Sequence, residues 1–251
     1  MTKIILSGCM GRMGTAITEI VKNTENAEIV CGFDALFGER AYPVYTDYAD
    51  VKVEADVIID FSHPSNFENI LSFAKKNNLP VIMCTTGLTA EQKAELNAAA
   101  AEIPVFFSAN MSLGINLLIR LAKMATKVLE KDFDIEIVEK HHNKKLDAPS
   151  GTALAIADAI ADTMTEDAQY VYERQSVRRQ REKSEIGIHA IRGGTIVGDH
   201  DVIYAGPDEV ITLSHSAGSR EVFAQGAVKA AMFMDGKPAG FYCMDDLFGD
   251  L

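Results

Sequence analysis

Five short apolar runs mark the first part of the chain, at residues 3–7, 27–33, 56–60, 80–84 and 103–108. Residues 56–60 are dense in β-branched side chains without polar alternation, as in a strand buried on both faces. Between the runs, apolar residues recur at helical spacing: Ile17, Ile20 and Val21 after the first run, then segments 65–76 and 89–101. Strands that alternate with helices predict a parallel, doubly wound sheet, because parallel neighbours need crossover connections that a helix supplies.

The rhythm then changes. Residues 117–129 predict a helix, and 134–140 alternate Ile135, Ile137 and Val138 with Asp134, Glu136 and Glu139, as a half-exposed strand does. After a helix over 152–164, three strand-like runs follow without helices between them, at 185–191, 195–204 and 209–215. That succession predicts a second, α+β domain with a mostly antiparallel sheet. A helix over 222–233 is expected to return to the first domain. The division is then a first domain of residues 1–112 and 221–251, and a second domain of residues 113–220.

With 251 residues and 47% hydrophobic content, the chain has enough apolar material for real cores. A net charge of −12 argues against general affinity for nucleic acid or anionic membranes and favours a small-molecule partner. No signal-peptide pattern opens the sequence and no stretch approaches the length of a membrane span, so a cytoplasmic protein is expected. Cys9, Cys31, Cys84 and Cys243 lie far apart, without the spacing of a zinc site or a redox pair, and read as free thiols.

The first strand runs into Gly8-Cys9-Met10-Gly11-Arg12-Met13-Gly14, which opens a helix, and Asp34 ends the second strand about 20 residues later. Glycines let backbone N–H groups approach a pyrophosphate, where the helix start offers unpaired donors and a partial positive charge. Asp34 would accept hydrogen bonds from ribose hydroxyls, giving a Rossmann-type site. A carboxylate there repels the 2′-phosphate of NADPH, so NADH is preferred, although Arg12 in the turn leaves NADPH within reach. Two further strand ends, Cys84-Thr85-Thr86 and Ser108-Ala109-Asn110-Met111, border the same crevice if the sheet is doubly wound.

Acid and base chemistry concentrates in residues 139–153, E-K-H-H-N-K-K-L-D-A-P-S-G-T-A. His141 and His142 end a strand and point to opposite faces. Ser150 is placed to cap a helix that starts at Gly151 and Thr152, and that start, with nearby lysines, would hold a carboxylate. His141 and Lys145 would supply protons, since imidazole titrates near neutrality and a desolvated lysine in a positive site is driven into range. Too few ligands stand at suitable spacing for zinc, and no metal is expected.

These residues carry a resemblance to the dihydrodipicolinate (4-hydroxy-tetrahydrodipicolinate) reductase family of the diaminopimelate and lysine pathway. It runs from G-x-x-G-R-M-G through E-x-H-H-x-x-K-x-D-A-P-S-G-T-A to R-G-G-T-I-V-G-D-H at residues 192–200, and ends with H-x-A-x-S-R at 215–220 and F-A-x-G-A at 223–227. The resemblance implies NAD(P)H-dependent reduction with loss of water. His141 and Lys145 are then the catalytic pair, His142, Ser150, Gly151 and Thr152 hold substrate, and NAD(P) lies on residues 8–13, Asp34, 84–86 and 108–111. It also implies a homotetramer. Two departures bear on the cofactor: Ala35 follows Asp34 where dual-specificity members have Arg, and Met111 stands where an aromatic residue is frequent.

The basic run Arg174, Arg178, Arg179, Arg181 and Lys183 reads as a solvated face or loop, with the substrate or another polyanion as the alternative. Two competing functions stay open, a related amino-acid dehydrogenase acting on aspartate and a non-catalytic NAD(P)H sensor. Neither requires a histidine and lysine beside an anion-binding helix start.

Overall fold

The computed structural model describes residues 1–108 and 110–249. It divides into two compact units, Met1–Ser112 with Glu221–Leu251, and Leu113–Arg220.

The first unit is built on β1 (Thr2–Ser7), β2 (Ala27–Phe33), β3 (Val44–Tyr45), β4 (Val57–Asp60), β5 (Val81–Met83), β6 (Pro104–Phe107) and β12 (Gly240–Tyr242). They form one parallel sheet in the order β12-β6-β5-β4-β1-β2-β3. The chain leaves β1 towards β2 and β3 and then returns to β4 on the other side, so the strand order reverses at β1. A crevice outside the carboxyl ends of the strands is the geometric consequence. Helices α1 (Arg12–Lys22), α2 (Phe67–Asn77), α3 (Ala90–Ala99) and α6 (Glu221–Met234) cover the sheet.

Thr89 and Gln92 form a capping box at the start of α3. In α6 seven residues, from Ala224 to Met234, are buried, and the helix packs on β1, β4, β5, β6 and α1. Ile5, Ile58, Val81, Val105, Phe67 and Leu71 fill the core between sheet and helices.

The second unit holds α4 (Leu113–Leu129), β7 (Asp134–His141), α5 (Gly151–Ala161), β8 (Gln169–Val171), β9 (Glu185–Arg192), β10 (Gly198–Ala205) and β11 (Val210–Ala217). Its sheet order is β11-β10-β7-β9-β8. The expected antiparallel pairing holds for β10 with β11 and β7, but β9 runs parallel to both β7 and β8, so the sheet is mixed. The cause is the long excursion through α5 and β8, which returns the chain to the start of β7's neighbour as a crossover. Helices α4 and α5 bury one face over Ile135, Ile137, Ile186, Ile188, Val202 and Tyr204. Tyr204 stays satisfied there by donating to the Ala122 carbonyl at 2.8 Å.

The basic run lies in an exposed loop, as expected, but most of its charges are paired. Arg174 pairs with Glu136 and Glu185, Arg179 with Glu185, Arg181 with Asp134 and Glu136, and Lys183 with Asp134. Glu185 is fully buried, and a buried carboxylate demands such counter-charges. Arg174 first, against the opposing effect of burial, holds the Glu185 carboxyl below its usual range. Among the described residues, no helix is long and apolar enough to cross a membrane.

Candidate active site

The glycine turn joins β1 to α1. Gly8 adopts φ of 79°, and a Cβ there would fall on the Phe61 carbonyl oxygen just beyond β4. A Cβ at Gly14 would fall on the Gly8 carbonyl, so these two glycines let the turn close against β4 and against itself. The Gly11 N–H donates to the Gly8 oxygen at 3.1 Å. Helix α1 has neither a side-chain cap nor an acid in its first turn, which suits a bound anion.

Asp34 closes the crevice. Its Oδ2 accepts the Met10 N–H at 2.9 Å and its Oδ1 the Leu36 N–H at 3.0 Å. Each oxygen keeps a lone pair for a further donor such as a ribose hydroxyl. Arg12 is exposed at the helix start and Met13 is half-buried. Cys9 turns its side chain into the core against Gly32, and burial first, then Asp34, pushes its thiol up to about 11. Only the Cys9 backbone can therefore serve a ligand. A cavity of about 980 Å³ opens beside the turn, lined by Gly8, Met10, Gly11, Asp34, Ala35, Ser62 and His63 among others.

At the end of β5, Cys84 and Thr85 are buried while Thr86 is exposed. The Thr85 hydroxyl donates to Asp60 Oδ2 at 2.5 Å, and the Ser62 N–H reaches Oδ1 at 3.1 Å. Burial raises the Asp60 carboxyl above its usual range despite these bonds. After β6, Ser108 donates to the Asn110 carbonyl at 3.0 Å, and Asn110 Oδ1 accepts the Ser112 N–H at 2.8 Å. Met111 is buried, and Gly226 of α6 presses its backbone onto the Met111 carbonyl. Ala109 lies outside the described residues.

Sequence reasoning missed two groups here. Asp60, a lone charge ending the apolar run 57–59, could have been read as a strand-end ligand to the neighbouring loop. Arg40 donates to the Cys9 carbonyl at 2.7 Å and to Thr15 Oγ1 at 2.8 Å, bracing the turn from an irregular segment without any sequence signal.

In the second unit, the buried positions of β7 are Ile135, Ile137, Glu139 and His141. The apolar face thus ends in a carboxylate and an imidazole. Glu139 Oε2 meets His141 Nδ1 at 2.7 Å, and Glu139 Oε1 accepts the Ser150 N–H at 3.0 Å. Ser150 caps α5 by accepting the Ala153 N–H at 3.1 Å, and its hydroxyl also lies 3.1 Å from His200 Nε2. The Ser150 hydroxyl is therefore committed to the fold. Gly151 is exposed, and a Cβ there would meet nothing within 4 Å. The start of α5 thus has open space at Gly151.

His142 is half-buried, and its carbonyl accepts the Lys145 N–H at 3.1 Å, turning the chain. Lys145 Nζ pairs with Asp147 Oδ2 at 2.8 Å, and that hydrogen bond keeps the Asp147 carboxyl below its usual range. Two residues escaped the sequence reading as site members. Arg192 forks onto Glu139, and His200, whose ring centroid lies 5.3 Å from that of His141, is held neutral. Burial first, then the neighbouring His141, lowers His200 to about 4. Both lie in the motif at residues 192–200, whose spacing gives no hint of what they touch.

Comparison with known proteins covers both units. The model of the dihydrodipicolinate reductase N-terminus matches residues 2–111, and that of the C-terminus matches residues 114–248. The chain is 55% identical to the 4-hydroxy-tetrahydrodipicolinate reductase of Caldanaerobacter subterraneus subsp. tengcongensis, covering 98% of each. It is 50% identical to that of Clostridium novyi, again over 98% of each. Among solved structures, a dipicolinate-bound dihydrodipicolinate reductase from Paenisporosarcina sp. TG-14 is similar, with a TM-score of 0.82, 25% identity and 97% of each chain covered.

Proposed function

The chain belongs to the dihydrodipicolinate reductase family, and on that premise we propose how its residues perform the family's reaction. It is an NAD(P)H-dependent oxidoreductase that reduces 4-hydroxy-tetrahydrodipicolinate, by way of dihydrodipicolinate, to tetrahydrodipicolinate with loss of water, in diaminopimelate and lysine biosynthesis. The aspartate dehydrogenase and sensor readings fall away, because the match extends through the second unit as well as the first.

The backbone of residues 8–13 and the start of α1 hold the pyrophosphate, and Asp34 the adenosine ribose. The strand ends at Cys84, Thr85 and Thr86, and at Ser108, Asn110 and Met111, border the nicotinamide half. When bound, the reduced nicotinamide supplies the hydride. A substrate carboxylate sits on the N–H groups of Gly151 and Thr152, with His142 beside it. Lys145 exchanges Asp147 for the substrate and donates the proton that balances the hydride, and His141 is its acid/base partner. The observation that supports this reading is that His141 and the start of α5 are tied to one carboxylate, Glu139.

We assign NADH as the preferred cofactor, supported by the spare lone pairs of Asp34 and the uncharged Ala35 after it. A homotetramer in the cytoplasm completes the reading. Strand β11 supports it, since it leaves an open sheet edge with Val210 and Ile211 exposed. The test is absorbance-monitored NADH oxidation with freshly prepared 4-hydroxy-tetrahydrodipicolinate. Turnover is expected, and folded, NADH-binding protein without turnover overturns the proposal.

A further inference from the structure

Glu139 is completely buried amid the groups just assigned, yet no step of the reaction employs it. Every lone pair it can offer is engaged. Arg192 Nη1 donates to Oε2 at 2.7 Å and Nη2 to Oε1 at 2.6 Å, a two-pronged bridge. His141 Nδ1 and the Ser150 N–H supply the other two bonds, at 2.7 and 3.0 Å. Burial on its own raises the Glu139 carboxyl, but the bonds from Arg192, from His141 and from Ser150 outweigh it and hold it below its usual range.

An ionised carboxylate only accepts hydrogen bonds, so the proton between the two side chains belongs to Nδ1 of His141. That leaves Nε2 as the nitrogen that gains and loses protons. The rest of the pocket agrees. A Cβ at Gly198 would stand 3.0 Å from Nε2, so the glycine clears the space on that side of the ring. His200, kept neutral by burial, does not bring a second positive charge against it.

We propose that Glu139 is a positioning residue that locks His141 in its Nδ1–H form with Nε2 turned to the reaction, and that the Arg192 fork holds Glu139 in place for this. The proposal rests on the assignment of His141 to proton transfer. Arg192 Nη2 also donates to the Asp147 carbonyl at 2.7 Å, and Asp147 pairs with Lys145. One guanidinium therefore braces the supports of both proton-transfer groups. Glu139 on its own strand bonds His141, Arg192 from β9 bonds Glu139, and His200 from β10 lies beside the ring, with His215 of β11 opposite His200 in register.

The experiment compares wild type and Glu139→Gln by the ring-nitrogen NMR resonances of nitrogen-labelled histidine and by the kcat–pH profile. An amide can donate to Nδ1, so the variant is expected to move the neutral-form proton of His141 to Nε2. kcat should fall on the order of 10²-fold, the low end of what a positioned acid or base contributes. The loss should hold across the pH profile, with KM for NADH unchanged. Unmoved His141 resonances overturn the positioning role while leaving His141's catalytic assignment standing. Moved resonances with unchanged kcat overturn that assignment, and the proposal with it. If Glu139→Gln does not fold, Arg192→Lys, which keeps the charge but loses the fork, reads the same coupling and is expected to shift both observables part of the way.

Discussion

The glycine turn of the first unit and the Glu139–His141–Arg192 cluster of the second solve opposite problems. The turn is a site made of backbone, where what matters is the absence of side chains at Gly8 and Gly14 and of any acid or cap at the start of α1. The cluster is a site made of side chains, where a buried carboxylate, a fork of N–H donors and an imidazole fix one another. A backbone site tolerates varied neighbours but no added bulk or negative charge. A side-chain site tolerates bulk where Gly151 opens outward but no change in the pattern of donors and acceptors.

If the contrast is right, damage to the two sites must separate kinetically. The largest effect is expected for Lys145→Ala, which removes the proposed proton donor and should lower kcat on the order of 10³-fold while NADH affinity measured by fluorescence titration stays constant. Gly11→Asp should do the reverse. A Cβ at Gly11 lies 3.3 Å from the Gly8 oxygen, tight but tolerable, whereas the added carboxylate stands where the pyrophosphate would. NADH binding by calorimetry should weaken on the order of 10²-fold, about 3 kcal/mol, with the melting temperature little changed. Equal loss of affinity in both variants would merge the two sites into one.

A pH measurement sharpens the side-chain half. His200 is lowered by burial, then by His141, to about 4, so the unfolded chain takes up its proton first as pH falls. Its contribution is fully present above its unfolded value and is lost as pH drops towards 4. Acidification from pH 7 to pH 5 should therefore cost about 2 kcal/mol in urea unfolding that His200→Asn does not show. A parallel loss in both proteins refutes the role of His200. The smallest effect is reserved for the edge of the backbone site: Asp34→Ala should raise the KM for NADH about 10-fold and narrow the gap to NADPH, as steady-state kinetics with both cofactors would record.

The same contrast explains what could be read from the sequence. The glycine turn is local, with strand, turn, helix and acid in one short stretch, and both its residues and their arrangement were legible. The long strands of the first sheet were legible too, because burial on both faces leaves unbroken apolar runs such as 57–59. Strands β3, β8 and β12 are short and lie at sheet edges, without the buried apolar run that marks the equally short β5. Alternation at 134–140 and the strand-like run at 185–191 foretold β7 and β9 but say nothing of direction, so the parallel pairing of the second sheet went unseen. In the candidate site, His141, Lys145 and the start of α5 stood out because they share one segment. Arg192, 53 residues from Glu139, could be recognised as its partner only once β9 was laid beside β7. The exposed loop of the basic run was foreseen, but its acidic partners Glu185, Asp134 and Glu136 lie on strands and could not be read from its spacing.

The return of α6 to the first unit has a consequence for the order in which the protein is made. On the ribosome, Met1–Ser112 emerges first but lacks the helix that packs on β1, β4, β5 and β6 and the strand that pairs with β6. Leu113–Arg220 is contiguous and can close as soon as it is clear of the exit tunnel. The unit that starts translation is thus the one that finishes last. A stalled or truncated chain would present the apolar seat of α6 to solvent, a template for aggregation that only the final stretch of synthesis covers.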